Sequence, residues 1–165
     1  MGIISPDNGQ ILVDDQDIKK NIKGWQKNIG FVSQSIFLLD SSIKENIAFG
    51  VKKENVNKDL VHKALEDAQI KDFIFTLKDG IETEVGERGL RLSGGQIQRI
   101  GIARELYRKP SLLILDEATS GLDQETENEF LECLEKIRNK MTIIIVSHRK
   151  NTLKNCDEII EISKI

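Results

Sequence analysis

Two carboxylates follow directly after an apolar segment of this chain. The run Leu112–Leu115 leads into Asp116 and Glu117. Four consecutive apolar residues predict a buried β-strand, and the carboxyl end of such a strand is where α/β sheets face a ligand crevice. A carboxylate pair there needs a cation or a proton to offset its charge. Asp116 is therefore a candidate ligand for Mg²⁺ on nucleotide phosphates and Glu117 a candidate to orient or deprotonate water, unless both acids simply begin an exposed loop.

The segment Leu92–Gln96 contains a second candidate site, because Ser93 precedes two glycines. Serine is a preferred N-cap residue, and a helix that begins here has backbone N–H groups that no side chain shields. The helix dipole adds partial positive charge at the same point, so Ser93, Gly94, Gly95 and Gln96 predict a phosphate-binding helix start. The alternative is an ordinary serine cap followed by flexible glycines.

A histidine and a glutamine follow two other apolar segments. His148 comes after Ile143–Val146, separated from it by Ser147, and Gln34 ends the apolar patch that begins at Ile29. A histidine at a strand end can donate a hydrogen bond to a phosphate as charge develops on it. Gln34 is a candidate ligand in the same crevice. Taken alone, each residue is more often a capping or loop residue than a ligand.

Alternating strands and helices must position these residues. Apolar runs predict strands at residues 10–13, 29–34, 111–115, 142–146 and 158–162. Amphipathic spacing predicts helices at residues 42–50, 57–68, 71–77 and 93–108, from 123 or 124, and from 150, whereas residues 14–24 are expected to be mostly turns. Ser42, with Glu45 three residues later, is expected to cap the first helix. The pattern predicts a parallel sheet of buried strands with both faces covered.

Length and composition describe one globular domain. The 165 residues are 39% hydrophobic and 31% charged with a formal net charge of −3, which argues against nucleic-acid binding through bulk positive charge. No apolar run approaches the roughly 18–20 residues of a membrane span, and the first residues do not resemble a signal peptide. Cys133 and Cys156 form no CxxC pair and are expected to be small core residues in a reducing compartment.

In this order, the LSGGQ sequence at Leu92–Gln96, the strand ending in Asp116 and Glu117, and the strand followed by His148 resemble the nucleotide-binding domain of an ABC transporter. The resemblance extends over essentially the whole chain. It implies an α/β fold of the P-loop NTPase-like (RecA-like) type, with a parallel sheet core and an α-helical subdomain that carries the signature motif. The implied cofactors are ATP and Mg²⁺.

The same resemblance implies a role for each candidate residue. Gln34 matches the Q-loop glutamine, which touches Mg²⁺ and the attacking water, and Asp116 ends the Walker B strand. Glu117 matches the catalytic glutamate and His148 the switch histidine. The signature motif, Leu92–Gln96, would close over the γ-phosphate of ATP held by a second subunit.

Further matches imply the partners of the chain. The segment Ser120–Asp123 resembles the D-loop, with Gly121 where alanine is usual, and Asp123 would contact the second subunit. The implied partners are therefore a second nucleotide-binding domain, in a head-to-tail dimer, and the transmembrane domain of an ABC transporter, with no nucleic acid. This places the chain at the cytoplasmic face of a membrane, the inner membrane in a bacterial cell. Residues 1–34 and 109–165 would belong to the RecA-like core and residues 35–108 mainly to the helical subdomain.

Two segments indicate the subclass. Thr83–Gly89, which contains the sequence ERG, resembles the loop before the signature motif of exporter-type cassettes. Ser41–Gly50 resembles the exporter segment that meets the coupling helices of the membrane domain. The resemblance thus implies an exporter or a lipid or glycolipid flippase half-transporter, whose membrane domain precedes the cassette on the same chain.

The chain departs from the family pattern in one respect. It contains no GxxxxGK[ST] P-loop, and it lacks the upstream aromatic residue that would contact adenine. Met1–Gly9 resembles the region where the helix after the P-loop ends, so we expect an N-terminally truncated cassette that begins inside the domain. The missing loop supplies the backbone cradle and the lysine for the β- and γ-phosphates. We therefore expect the chain alone to bind ATP weakly or not at all and not to hydrolyse it.

Two other functions remain open at this point. One is a non-transport ABC ATPase of the chromosome-maintenance or translation-factor type, which shares the signature and Walker B motifs but lacks the counterparts of Thr83–Gly89 and Ser41–Gly50. The other is a non-catalytic fragment whose signature motif completes the ATP site of a partner in trans.

Overall fold

The computed structural model describes residues 1–87 and 89–162. Its strands are β1 (Leu12–Val13), β2 (Gln16–Asp17), β3 (Ile29–Val32), β4 (Ser41–Ser42), β5 (Glu84–Val85), β6 (Leu112–Asp116) and β7 (Thr142–Val146). Its helices are α1 (Ile22–Lys27), α2 (Ile43–Ile47), α3 (Lys58–Asp67), α4 (Lys71–Thr76), α5 (Gly94–Tyr107), α6 (Gln124–Ile137) and α7 (Lys150–Leu153). Short 3₁₀ turns lie at Ile18–Asn21, Lys53–Asn55 and Gly80–Glu82.

The central sheet is parallel and has the order β3-β6-β7. Leu112 of β6 pairs with Ile29 on one side and with Thr142 on the other, and the register continues to the pair Asp116 and Val146. Parallel neighbours need a crossover connection. The chain makes the first crossover through α2 to α5 and the second through α6. The predicted α/β fold with a parallel sheet is therefore confirmed.

Helix α5 packs across β3 on one face of this sheet. A Cβ atom on Gly30 would lie 3.0 Å from Cβ of Glu105 in α5, so glycine permits the close approach. The face contains Val32, Leu113 and Leu115, which are buried. Phe130 of α6 belongs to the same hydrophobic core. This face is covered as expected.

The expectation that residues 142–146 form a buried strand, with both sheet faces covered, is wrong for β7. Ile144 and Val146 point to the opposite face from Ile143 and Ile145, and each is 47% exposed. Side chains alternate between the two faces of a strand, so an uninterrupted apolar run does not by itself show that both faces are packed. Among the described residues, β7 pairs only with β6.

Helices α2, α3, α4 and α5 form the second part of the core. Their largest fully buried side chains are Ile43, Ile47, Leu65, Ile74, Ile100 and Ile102. Gly101 allows α5 to approach Ile36, whose Cδ1 atom would be less than 3.0 Å from a Cβ at position 101. None of the helices described here is long and apolar enough to cross a membrane.

Most of the predicted helix starts are found with their caps. The Ser42 hydroxyl accepts the Glu45 N–H at 3.3 Å, while the Glu45 carboxylate pairs with Lys53 at 2.7 Å. Asp123 is the N-cap of α6. A serine or aspartate oxygen here satisfies an N–H group that has no partner inside the helix.

Two other expectations are wrong. Residues 158–162 form no strand, and the apolar side chains Ile159, Ile160 and Ile162 are exposed. A strand requires a neighbour for its backbone groups, and alternating apolar residues do not supply one. Residues 14–24 are more regular than expected, because they contain β2 and the start of α1. Asp14 and Asp15, both with positive φ, form the two-residue turn between β1 and β2.

The cysteines differ from each other. Cys133 is buried in α6, and burial raises the pKa of its thiol to about 12. It is a neutral core residue at physiological pH, as expected. Cys156 is only partly buried, although burial also raises its pKa, so it is not a core residue.

Glu105 provides a test of how α5 packs on the sheet. Burial raises the pKa of its carboxyl group above the usual 4.5, although charge from Arg108 and the N–H of Phe31 oppose this. An acid with a raised folded-state pKa binds more protons when folded, so the free energy of unfolding falls as pH rises from about 4.5 through the folded-state pKa. Glu105→Gln should therefore stabilise the chain at pH 7, and the difference should shrink toward pH 4. Urea titrations across this range measure the effect, with the exposed Glu132→Gln as control; a pH-independent difference would contradict the prediction.

Candidate functional site

The carboxyl ends of three adjacent strands bring four candidate residues to one edge of the sheet. Asp116 is level with Val146 in the parallel register, and β3 ends one pair earlier. Gln34 follows β3, Glu117 follows Asp116, and His148 follows β7 two residues after its end. The predicted arrangement of strand ends is therefore present, whereas the roles of these residues remain predictions.

Glu117 has a backbone conformation that glutamate rarely adopts. Its φ is 48°, in the left-handed region. Its N–H donates to the Val146 carbonyl at 2.9 Å, which continues the β6–β7 ladder by one bond. From this position its Oε1 atom lies 3.1 Å from Nε2 of His148. Backbone strain of this kind persists only where surrounding contacts impose it. In Glu117 the strained conformation places the carboxylate against the imidazole of His148.

The other two strand-end residues present oxygen atoms to the same edge. The side chains of Asp116 and Gln34 are exposed. Mg²⁺ is usually held by one or two carboxylates together with water and substrate phosphates, so the single carboxylate of Asp116 fits an ion that arrives with a nucleotide. The described part of the chain contains no group of three or more His, Cys, Asp or Glu side chains that could hold a metal by themselves.

The segment Leu92–Gln96 begins a helix, as predicted. The Ser93 hydroxyl accepts the Gln96 N–H at 3.3 Å, and the Gln96 side-chain oxygen accepts the Ser93 N–H at 2.9 Å. The two residues therefore form a capping box. The first hydrogen bond within the helix runs from the Ile97 N–H to the Ser93 carbonyl. The N–H groups of Gly94 and Gly95 precede it and are not part of the helical hydrogen-bond ladder. An anion at this end would meet these groups and the positive end of the helix dipole.

The start of α5 packs against Ser120–Asp123, the segment that resembles a D-loop (hereafter the D-loop), and against Thr126 in the first turn of α6. A Cβ atom on Gly94 would lie 3.5 Å from Cδ2 of Leu122, an ordinary contact. A Cβ on Gly95 would lie less than 3.0 Å from Cγ2 of Thr126. Asp123 holds Thr126 in place, since its carboxylate accepts the backbone N–H at 3.0 Å and the hydroxyl at 2.8 Å. These same bonds keep the pKa of Asp123 below its usual value.

The site residues therefore form two groups. Gln34, Asp116, Glu117 and His148 lie at the sheet edge, and the residues from Ser93 onward lie at the start of α5. In the described structure, no hydrogen bond joins Ser93 or Gln96 directly to Asp116, Glu117 or His148. The D-loop lies between the two groups, because the Ser120 N–H donates to the Glu117 carbonyl at 3.0 Å while Leu122 lies beside Gly94.

Sequence reasoning missed three residues that hold this arrangement. Gln98 is buried in α5, and its Nε2 donates to the Gln34 carbonyl at 3.0 Å. Arg149 donates to the buried Glu127 at 2.8 Å. The sequence does carry a signal for Gln98, because a polar residue four positions before the apolar Ile102 lies on the same, inner side of α5. Arg149 and Glu127 have no local signal, because the bond joins residues from two separate elements.

The two segments that indicate the exporter subclass, Ser41–Gly50 and Thr83–Gly89, pair with each other through a short ladder. Ser41 and Ser42 pair with Glu84 and Val85 as an antiparallel ladder, β4 with β5. The ladder is extended by a bond from Ile43 N–H to the Thr83 carbonyl at 3.0 Å. Arg88, the arginine of the ERG sequence, lies outside the described residues.

The sequence matches known proteins along most of its length. A family model described as "ABC transporter" matches residues 1–120. The multidrug resistance protein pgp-1 of Caenorhabditis elegans is 46% identical over 156 residues, which is 94% of this chain. An ABC-type transporter of Aspergillus fumigatus, fsqE, is 43% identical over 155 residues, and ABC transporter B family member 13 of Arabidopsis thaliana is 44% identical over 156. The chain spans 12% of the length of each of these relatives.

A solved structure is similar in fold as well as in sequence. A bacterial Atm1-family ABC exporter with ATP bound superimposes with a TM-score of 0.78 at 40% sequence identity. The match covers 93% of this chain and 27% of the exporter chain.

The two glycines at the start of α5 allow a matched test of its packing on Thr126 of α6 and on Leu122. Gly95→Ala should lower the free energy of unfolding by about 1–3 kcal/mol, because the new methyl group has to displace the short, hydrogen-bonded Thr126 side chain. Gly94→Ala has room and should leave stability unchanged or raise it by up to ~1 kcal/mol through helix propensity. Thr126→Ser removes Cγ2 but keeps the hydroxyl, and should restore much of the loss in the Gly95→Ala background. Denaturant titrations measure all four proteins, and equal losses for the two alanine variants would disprove the proposed contact.

Proposed function

The chain belongs to the ABC transporter family, and from this premise we propose that it supplies the ATP-binding and ATP-hydrolysing residues that power an ABC exporter or a lipid or glycolipid flippase. The observation that carries the proposal is the Glu117–His148 pair, 3.1 Å apart at the level where Asp116 ends its strand. A carboxylate beside an imidazole at an open sheet edge can hold a water molecule and share its proton.

Each strand-end residue has a proposed role at this edge. Asp116 and Gln34 provide oxygen ligands toward Mg²⁺, and Glu117 orients or deprotonates the attacking water. His148 donates a hydrogen bond toward the γ-phosphate, where charge builds in the transition state. Mg²⁺ bound to ATP neutralises charge on the β- and γ-phosphates.

The residues at the start of α5 act on a different nucleotide in this proposal. Ser93, Gly94, Gly95 and Gln96 would contact the γ-phosphate of ATP held by a second nucleotide-binding domain, and Asp123 would contact that domain in a head-to-tail dimer. The separation of the two groups of site residues supports this, because one chain then offers each group to a different ATP. Residues 1–34 and 109–165 would form the RecA-like core and residues 35–108 the helical subdomain.

An apolar patch supports docking of a transmembrane domain. Phe37 and Phe49 are 72% and 53% exposed. Arg104 joins them, because its guanidinium donates to the Phe37 carbonyl at 3.0 Å and lies 5.2 Å from the centre of the Phe49 ring. Phe49 belongs to Ser41–Gly50, the segment that resembles the exporter surface facing the coupling helices. The proposed location is therefore the cytoplasmic face of a membrane.

One observation favours a second function. Residues 1–165 contain the complete LSGGQ sequence but no GxxxxGK[ST] motif. A chain with this combination could complete the ATP site of a partner in trans without holding ATP itself.

ATP binding distinguishes the two functions. We expect the 165-residue chain to bind ATP with Mg²⁺ weakly or not at all and not to hydrolyse it, because no lysine-containing phosphate loop is present in it. The measurement is isothermal titration calorimetry with ATP, made on this chain and on the longest protein that its gene encodes. Binding and hydrolysis by the longer protein alone support the transport proposal. Tight binding by the 165-residue chain would show that the phosphates lie elsewhere than proposed.

The role of Glu117 can be tested in whichever protein hydrolyses ATP. Glu117→Gln keeps the size of the side chain but removes the base, so kcat should fall about 10²–10⁴-fold while ATP still binds. Glu54→Gln, at an exposed turn, is the matched control. A steady-state ATPase assay together with a binding titration gives both quantities, and retention of full activity by E117Q would remove Glu117 from the proposed mechanism.

A further inference from the structure

A buried carboxylate lies beside the candidate site without belonging to it. Glu127, in the first turns of α6, is 2% exposed. One of its oxygens accepts the hydroxyl of Thr152 at 2.6 Å, and the other accepts from Arg149 Nη1 at 2.8 Å. Burying a carboxylate is unfavourable unless it is paired and hydrogen-bonded, and these two partners satisfy that requirement.

The arginine of this pair also binds the D-loop. Arg149 Nη1 donates to the Leu122 carbonyl at 3.1 Å, and Nη2 donates to the Ser120 carbonyl at 3.0 Å. The guanidinium thus spans Glu127 and two backbone oxygens. Only arginine has a planar fork with enough donors for this arrangement, whereas the ammonium group of lysine is a single point of attachment.

The same arginine is next to His148 in the chain. Its N–H donates to the Ser147 hydroxyl at 3.0 Å, which closes a tight turn around the histidine. Thr152, in α7, adds a second connection, because its hydroxyl lies 3.2 Å from that of the buried Thr119. The loop that carries His148 is therefore tied at two points to the segment that follows Glu117.

We propose that Arg149, held by the buried Glu127, is a positioning residue that joins the D-loop and the His148 loop into one rigid unit. The D-loop residue Leu122 lies beside Gly94 at the start of α5, where a Cβ atom on Gly94 would be 3.5 Å from its Cδ2 atom, so this unit also links the two groups of site residues. The consequence for catalysis is that the His148–Glu117 geometry depends on Arg149. This consequence deepens the proposed ATPase function and rests on it.

Hydrogen exchange tests the structural part in the full 165-residue chain. The amide N–H groups of Ser120, Leu122 and Arg149 are hydrogen-bonded, so exchange reports whether their loops stay closed. Arg149→Lys should accelerate exchange at these amides by about tenfold or more, while amides of β6 keep their rate. Arg138→Lys is the matched control, because Arg138 is similarly exposed (35% against 38%) and also donates to a carboxylate and a carbonyl.

Two outcomes of the exchange experiment would overturn the proposal. Unchanged exchange in the D-loop would show that Arg149 does not hold it, and faster exchange throughout the chain would show that it only contributes to overall stability. Should R149K fail to fold, Thr152→Val removes one hydroxyl at constant size. That variant should accelerate exchange at Ser120 and Leu122, and unchanged rates would again overturn the proposal.

Kinetics tests the functional consequence in the ATP-hydrolysing form of the protein. R149K should lower kcat at least about tenfold and leave KM for ATP unchanged, because it disturbs the position of His148 and not nucleotide binding. R138K should behave as the wild type. Normal kcat in R149K, or a change in KM alone, overturns the positioning role while the proposed function stands. If no form hydrolyses ATP, the proposed function fails, and the exchange data alone decide whether Arg149 holds the loops.

Discussion

The parallel pairing of β6 with a strand on each side determines where the rest of this structure lies. Backbone hydrogen bonds set the register, so the ends of β3, β6 and β7 come to nearly the same level. Gln34, Asp116 and His148 consequently lie at one edge of the sheet, although they are far apart in the sequence. One further ladder bond, from Glu117 to Val146, holds the glutamate in a left-handed conformation facing the histidine.

Helix α5 is the second constraint, because it contacts the sheet, the helical cluster and the D-loop at once. Close approach at Gly30 sets it against β3, and the buried Gln98 ties it to the backbone of Gln34. In its first turn, Gly94 lies beside Leu122 of the D-loop and Gly95 beside Thr126 of α6. The D-loop therefore connects the start of this helix to the sheet edge, because the Ser120 N–H donates to the Glu117 carbonyl while Leu122 lies beside Gly94.

Charge is handled differently in the two regions. At the sheet edge, the carboxylates of Asp116 and Glu117 are at least partly exposed, so a cation can reach them without a large desolvation cost. Behind that edge, Glu127 is fully buried and already paired with Arg149. The first arrangement leaves charge available for a ligand, whereas the second uses charge to hold loops together. Acids that look alike in the sequence therefore differ in exposure and pairing, because their neighbours in the fold differ.

Local patterns were sufficient for the features that depend on neighbouring residues: the helix starts at Ser42 and Ser93, the strand that ends at Asp116, and the placement of Gln34 and His148 just after strands. They failed where a partner distant in the sequence decides the outcome. The exposed face of β7 and the absence of a strand at residues 158–162 depend on which elements pack or pair with them. The Arg149–Glu127 pair, likewise, comes into existence only when α6 and the loop after β7 meet, because hydrogen bonds and burial are properties of spatial neighbours and periodicity records only neighbours along the chain.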